Sequence, residues 1–272
     1  MGNIHLSAFC MAASVLLSFP LKSLASSHAS ASNQCQVLSA SGNAEYPPYL
    51  WRAPDNPKQL VGAIAFMIDD IAEEIGIPIE LIYSGPWGRV QKEVAAGRVD
   101  MIAGAFFTEA RTDYMNYIYP EFQGTETAVW YNLNNPFNYS LWSDLKPLRG
   151  VTVINNSFGQ DFDQYAAQEL NIRQVSSLEQ GLKMLSAGRV DYLIYEKEPA
   201  MAYVHQLSIS GIQSHTKAVT QQNLYLTVSQ ASKCNTPELK KKLETVVTLF
   251  DTQSRMQGYL EKAHRLWTEQ QQ

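Results

Sequence analysis

The sequence has few of the residues that build metal centres and nucleophilic active sites, with 3 cysteines and 5 histidines in 272 residues. Three of the histidines, His205, His215 and His264, are scattered without the short spacing typical of metal ligands. No Gly-x-Ser-x-Gly motif and no glycine-rich phosphate loop occurs. These absences argue against a metalloenzyme and a serine hydrolase, and we expect neither a metal nor a cofactor.

Positive charge is also scarce, because 26 acidic residues outnumber 21 basic ones. Residues 1–31 hold one basic and no acidic residue, so the chain without them carries a net charge of −6. The one basic run, Lys240–Lys242, falls inside a helical pattern and is explained by a solvated helix face. The sequence lacks the basic footprint of a nucleic-acid-binding protein, and we expect no nucleic-acid partner.

The sequence has no hydrophobic run long enough to span a bilayer. Its longest apolar stretch, Leu6–Leu21, is shorter than the roughly 20 residues that a spanning helix requires. Small-x-small cleavage signatures follow at 23–25 and 29–31. We therefore predict a cleaved signal peptide over 1–31 and a periplasmic mature protein. Residues 1–5 hold no Lys or Arg, which leaves a retained anchor or a mistaken start codon open.

Cysteine use agrees with export. Cys10 lies in the predicted signal peptide, which leaves Cys35 and Cys234 in the mature chain. An even pair in an oxidising compartment is a candidate disulfide, and two unrelated buried thiols are the alternative. The two cysteines are 199 positions apart without a Cys-x-x-Cys motif, which does not indicate a metal site.

One internal repeat carries most of the information about the fold. The five residues Ala96–Asp100 recur as Ala187–Asp191, each after a helical pattern and before a short apolar run. The glycine in each copy stands where a helix would end, and glycine accepts the left-handed conformation of a helix cap. A helix–turn–strand unit therefore occurs twice, about 90 residues apart. This predicts two similar α/β lobes.

Other segments extend this plan of alternating strands and helices, which predicts mostly parallel sheets covered on both faces. A stripe of isoleucines from Ile64 to Ile75 predicts a helix that ends at Gly76. Thr236-Pro237-Glu238 predicts the start of a helix, and Ser157–Gln160 resembles a capping box that begins another. Further strands are predicted over 36–41, 77–83 and 151–154.

Four further motifs accompany the two Gly-Arg-Val-Asp copies: Glu45–Tyr49, Gly62–Asp69, Thr108–Arg111 and Asp144–Val151. Each motif is unspecific, but their ordered set resembles the periplasmic solute-binding proteins of type II, amino-acid-binding branch (bacterial extracellular solute-binding protein family 3). The likeness spans nearly all of the mature chain.

The resemblance implies an α/β fold of two similar lobes, each with a mostly parallel sheet flanked by helices, joined by a two-segment hinge. Lobe one is then built from residues 35–128 plus 219–272, and lobe two from 129–218. A bridge between Cys35 and Cys234 would lie within lobe one and leave hinge motion free.

The resemblance also implies polar ligand-binding residues. Arg111 matches the arginine that holds a ligand carboxylate, and its guanidinium offers two parallel donors for the two oxygens. Glu196 matches the acid that receives the ligand ammonium. Thr108 would cap the short helix carrying Arg111, and Ser157 matches a loop offering a hydroxyl and amides at a helix start. Simpler alternatives remain: a surface ion pair for Arg111, helix caps for Thr108 and Ser157, and a solvated acid for Glu196.

Tyr46 and Trp87 match aromatic walls of the pocket, although ordinary packing explains either. Three positions depart from the pattern: Met67 replaces an acid, Phe106 replaces a small polar residue, and Phe158 replaces a hydroxyl residue. These changes remove polar contacts and add apolar bulk. They predict a smaller or more apolar pocket. Its ligand could then be an aromatic or non-amino carboxylate instead of an α-amino acid.

The resemblance implies a monomeric, non-enzymatic, periplasmic substrate-binding protein that closes around a small carboxylate ligand and delivers it to an ABC-type importer. Its partners would be that ligand and a membrane permease or sensor. Two alternatives remain. One is a periplasmic enzyme of the prephenate/arogenate dehydratase kind, with Glu196 as general acid. The other is a free ligand-sensing domain.

Overall fold

Short strands and helices alternate along the chain from Leu38 onward. The computed structural model describes residues 1–2 and 35–271. The predicted signal peptide and its cleavage signatures lie outside the described residues, apart from the first two positions. Among the helices that are described, none is both long and apolar enough to cross a membrane.

Most of the described strands are short, and two, Met115–Asn132 and Thr220–Ser229, are long. The strands are β1 (Leu38–Ser41), β2 (Glu45–Tyr46), β3 (Leu50–Arg52), β4 (Leu60–Val61), β5 (Ile79–Leu81), β6 (Met101–Phe106), β7 (Met115–Asn132), β8 (Arg149–Val153), β9 (Asn171–Val175), β10 (Tyr192–Glu196), β11 (Ile212–Ser214) and β12 (Thr220–Ser229). The helices are α1 (Ala63–Ile75), α2 (Trp87–Ala95), α3 (Glu109–Thr112), α4 (Gln160–Glu169), α5 (Leu178–Ser186), α6 (Lys197–Gln206), α7 (Pro237–Thr252) and α8 (Arg255–Glu269), with a 3₁₀ turn at Trp142–Leu145.

One mixed sheet in the described part of the chain contains two groups of parallel strands. In the first group β1 lies between β5 and β6, and in the second β8 lies between β10 and β9. The long strands β12 and β7 run antiparallel between the groups, in the order β6-β12-β7-β10. The α/β class and the mostly parallel pairing within each group confirm the predicted fold class. The strands β2, β3 and β4 form a separate antiparallel sheet.

The repeated pentapeptide adopts the same backbone conformation in both copies. Gly97 and Gly188 have φ values of 68° and 67°. Their amides donate to the carbonyls of Val94 and Leu185 in the preceding helices. Glycine is favoured here because a side chain at positive φ would strain the backbone.

The aspartate of each copy holds the neighbouring parallel strand. The Asp100 Oδ2 atom accepts from the amide of Ser39 on β1 at 2.8 Å. In the second copy, Asp191 Oδ2 accepts from the amide of Arg149 on β8, also at 2.8 Å. The repeated sequence therefore forms the same helix–turn–strand unit twice, as the repeat predicted, and each copy also makes the same side-chain contact.

Apolar residues cover both faces of the sheet. The predicted isoleucine stripe of α1 is buried, and Gly76 ends the helix in a left-handed conformation. Around the second strand group, one apolar cluster includes Phe162 of α4, while α5 packs into the main core through residues such as Leu182. Burial on both faces explains why strands such as β10 are apolar at every position except the last.

Strand ends differ from the predicted ones by a few residues. The first strand begins at Leu38 rather than Gln36, and the strand predicted over 77–83 is confined to Ile79–Leu81. Helix α7 begins at Pro237 as predicted, and the Thr236 hydroxyl accepts from the amide of Leu239 at 3.1 Å.

Cys35 and Cys234 form a disulfide bond. It joins the segment before β1 to the segment before α7, across a sequence separation of 199 residues. Of the two possibilities that the sequence left open, the structure therefore contains the bridge.

Candidate functional site

A narrow cavity of about 30 Å³ lies between the two strand groups. This volume accommodates about two water molecules. A ligand of amino-acid size therefore requires the walls to move apart. The cavity is lined by Asn43, Tyr46, Trp87, Gly104, Phe106, Arg111, Asn156, Ser157, Glu196 and Leu224. Six of the seven predicted site residues are among them, and Thr108 is not.

Arg111 is positioned by the turn that follows β6. The hydroxyl of Thr108 accepts from the backbone amide of Arg111 at 3.3 Å and caps the one-turn helix α3. The Arg111 side chain is 5% exposed, and its Nη1 donates to the carbonyl oxygen of Phe106 at 2.8 Å. Among the described residues, no carboxylate lies within salt-bridge distance of this guanidinium. Burying a cation without an ion pair costs free energy, and such an unpaired cation is typical of a site that binds an anionic ligand.

Glu196 faces the same cavity from the second strand group, at the end of β10. It is 3% exposed, and its Oε2 atom has no hydrogen-bond partner among the described residues. Burial raises the pKa of Glu196 to about 8, while its own backbone amide and the charge of Arg111 act in the opposite direction. A buried carboxyl oxygen without a partner is an acceptor available to a cationic ligand group.

The pH dependence of stability should reveal this buried carboxyl. Because the pKa of Glu196 rises from an ordinary 4.5 to about 8 in the folded protein, the folded state binds more protons between those values. The stability contribution is complete below pH 4.5 and is lost as the pH rises through 8, on the order of 5 kcal/mol. We expect Glu196→Gln to flatten the fall in melting temperature from pH 5 to 8.5.

Glu198→Gln is the matched control, because Glu198 is an exposed acid two positions further along the chain. The control should keep the wild-type slope. Parallel melting curves for the wild type and Glu196→Gln across this range would contradict the assignment of a buried, unpaired carboxyl.

Aromatic rings and an amide surround the carboxyl. Tyr46 is buried, and its hydroxyl has no partner among the described residues. Burial, followed by the charge of Glu196, raises the pKa of Tyr46 well above its usual range, so the phenol stays protonated. Its ring lies 6.4 Å from the ring of Tyr195. The Tyr195 hydroxyl accepts a hydrogen bond from the side-chain amide of Asn43 at 3.3 Å. The phenol of Tyr46 therefore provides a second polar group near Glu196.

Trp87 connects the two sides of the cavity. The Arg111 guanidinium lies over its ring at 5.3 Å, a cation–π contact. Its Nε1 donates to the carbonyl oxygen of Asn155, on the loop after β8, at 3.1 Å. The ring thus holds the arginine on one side and contacts the second strand group on the other. Phe106 is buried and lines the same cavity as an apolar wall.

Ser157 does not form the predicted capping box. Helix α4 begins at Gln160, its N-cap residue is Gly159, and no side chain caps it. Instead the Ser157 hydroxyl donates to Asp163 Oδ2, and the amide of Phe158 donates to Asp163 Oδ1 at 2.8 Å. The prediction of a capping box was wrong because a carboxylate in the first turn folds back onto the loop.

The sequence did not predict four of the lining residues. It also did not predict Asp163, which does not line the cavity but bonds to Ser157, a residue that does. Asn43, Gly104, Asn156 and Leu224 lie in turns and strands whose sequences carry no chemical signature. The sequence shows Asp163 as an acid in the first turn of a helix. That position predicts a favourable interaction with the helix dipole, but no role at a binding site.

Comparisons with known proteins agree with the fold. The family model for bacterial extracellular solute-binding proteins, family 3, matches residues 38–265. A search of curated protein sequences gave no match.

Solved structures share the fold at low identity. A histidine kinase sensor domain with similarity to periplasmic binding proteins has a TM-score of 0.71 at 17% identity, over 86% of this chain and 96% of its own. The substrate-binding protein of an amino acid ABC transporter has a TM-score of 0.68 at 18% identity, over 84% and 99%. Holo ArgBP from T. maritima has a TM-score of 0.67 at 14% identity, over 79% and 91%.

Proposed function

The chain belongs to the bacterial extracellular solute-binding proteins of family 3, and on that premise we propose that it binds a small, neutral α-amino acid. The observation that carries the proposal is a pair of unmatched groups in one cavity, a buried guanidinium and a buried carboxyl. Arg111 lies buried without an ion pair on one side, and Glu196 has a buried oxygen without a partner on the other. A zwitterion satisfies both groups at once, which a simple anion or cation does not.

The remaining lining favours a small, uncharged side chain. Trp87, Phe106 and Leu224 contribute apolar surface, and Glu196 is the one acid among the lining residues. A basic ligand side chain would need a second carboxylate in the lining, and an acidic one would need a second cation.

Closure of two lobes supplies the mechanism. We assign residues 35–128 and 219–272 to lobe one and 129–218 to lobe two, with the pivot in the paired strands β7 and β12. Gln123–Thr127 pair there with Thr220–Leu224, and the register shifts next to Leu224. Arg111 belongs to one lobe and Glu196 to the other, so a ligand stabilises the closed state by contacting both.

The protein is proposed to act as a monomer in the periplasm and to deliver its ligand to an ABC-type importer. Family membership and the predicted signal peptide support this location. A sensing role is the second candidate, because a histidine kinase sensor domain shares the fold over 86% of this chain. In that role the closed protein would contact a separate membrane receptor rather than a permease.

A ligand panel tests the proposal. Glycine, L-alanine, L-serine, L-arginine, L-glutamate, succinate and phenylpyruvate are added to the purified protein, and the melting temperature is recorded. At a hundredfold excess over Kd, binding contributes about 2.7 kcal/mol. For a chain of this size, that raises the melting temperature by about 5–10 °C.

We expect stabilisation by a small neutral amino acid and none by L-arginine. Mass spectrometry of the molecule that co-purifies with the native protein gives an independent identification. Stabilisation confined to succinate or phenylpyruvate, which lack an amino group, would contradict the proposed ligand class.

A further inference from the structure

A carboxylate from the first turn of α4 folds back onto the preceding loop, at the place where a ligand anion could otherwise bind. Asp163 Oδ1 accepts from the amide of Phe158 at 2.8 Å, and its Oδ2 accepts from the Ser157 hydroxyl. The amide of Gly159 donates to Ser157 Oγ at 3.3 Å. Two amides and the hydroxyl at this helix start are therefore already engaged within the protein.

These bonds fix the polarity of Ser157, which lines the cavity. A serine hydroxyl has one proton and two lone pairs. Its proton is used by Asp163 and one lone pair by Gly159, so one lone pair remains. Toward a ligand, Ser157 is an acceptor and not a donor.

Both carboxyl oxygens of Asp163 accept hydrogen bonds, as the oxygens of an ionised carboxylate do. Burial is the largest influence and raises the pKa of Asp163 above its ordinary value, while the bonds from Ser157 and Phe158 and the charge of Arg111 act against that rise. An ionised carboxylate has no proton to give, so the Ser157 hydroxyl must donate.

We infer that Asp163 is a positioning residue that makes lobe two selective for a ligand cation, because it holds Ser157 as an acceptor beside Glu196. The inference rests on the proposed function and adds a specificity determinant to it. Lobe two then presents two acceptors, the free lone pair of Ser157 and Glu196 Oε2, while Arg111 of lobe one takes the ligand carboxylate. An α-amino acid fits this arrangement, and its 2-hydroxy analogue does so less well.

Asp163→Asn is the discriminating variant because it keeps the shape of the side chain and reverses the polarity of Ser157. The asparagine carbonyl still accepts from the amide of Phe158, but its NH₂ group donates to Ser157 Oγ. The Ser157 proton is then free to point into the cavity as a donor.

The experiment measures Kd by calorimetry for two matched pairs, glycine with glycolate and L-alanine with L-lactate. We expect the wild type to prefer the amino acid in each pair. Asp163→Asn should reduce that preference by about tenfold or more, since hydrogen bonds to charged groups contribute that much to affinity.

Asp161→Asn is the matched control, because it removes the same charge from the exposed face of the same helical turn. It should change the ratio by less than about twofold, as expected for an exposed charge. Ser157→Ala should reduce the preference as well, and adding Asp163→Asn to Ser157→Ala should have little further effect.

The outcomes separate this inference from the proposed function. If the wild type binds an amino acid but Asp163→Asn changes the ratio no more than Asp161→Asn, the inference is wrong and the proposed function stands. If the wild type binds no small neutral amino acid in either experiment, the proposed function is wrong and the inference is overturned with it. Should Asp163→Asn fail to fold, an unchanged ratio in Ser157→Ala overturns the inference by itself.

Discussion

Arg111→Met is expected to abolish the thermal stabilisation that a bound amino acid gives, with a loss of about a hundredfold or more in affinity. The guanidinium is the one cation in the lining, and a ligand carboxylate in a closed cavity would be left unpaired without it. Removing one partner of a buried charge pair costs about 2–5 kcal/mol, which sets this magnitude. Thermal shift and calorimetry with the stabilising amino acid measure the loss.

The same variant should fold as well as the wild type. Methionine retains an apolar stem that packs on Trp87. The substitution also removes a buried charge that forms no salt bridge with any carboxylate among the described residues. The ligand-free melting temperature should therefore stay equal or rise. Arg98→Met, on an exposed arginine paired with Glu93, is the matched control and should keep full ligand stabilisation. Equal stabilisation of Arg111→Met and the wild type by the ligand would contradict the proposal that Arg111 binds the ligand carboxylate.

Replacing both Cys35 and Cys234 with serine should lower the free energy of unfolding by about 3–5 kcal/mol. The bridge closes a loop of 199 residues, and in the chain-entropy account the stabilisation rises with loop length. For a protein of this size the expected fall in melting temperature is about 10 °C. Calorimetric unfolding of the double variant measures it.

Ligand affinity should survive in the double serine variant, because neither cysteine lines the cavity. Wild type unfolded under reducing conditions should melt at the same temperature as the variant. An unchanged melting temperature would show that the bridge does not constrain the unfolded chain.

The repeated pentapeptide made the fold predictable. Glycine after a helix and aspartate before a strand are local signals, and Asp100 and Asp191 each accept a hydrogen bond from the neighbouring parallel strand. The sequence could not show that one sheet runs through both strand groups. That continuity comes from the pairing of β7 with β12, whose residues are about 100 positions apart. No local pattern encodes such a pairing.

For the site, the sequence predicted residues that have a distinctive chemistry and a motif around them. Arg111 and Glu196 were identified by the resemblance, and the structure places both in one cavity. Whether they bind ligand remains a prediction. Asp163 could not be predicted, since Asp161 and Asp163 are equivalent acids in one helical turn until the loop conformation shows which one folds back.

The position of β12 has a consequence for biogenesis. This strand, Thr220–Ser229, lies between β6 and β7, so the first half of the chain lacks an interior strand until the final fifty or so residues are available. A growing polypeptide cannot complete that half early, however long synthesis pauses before Thr220. The order of strands thus delays completion of that half until Thr220–Ser229 has been made.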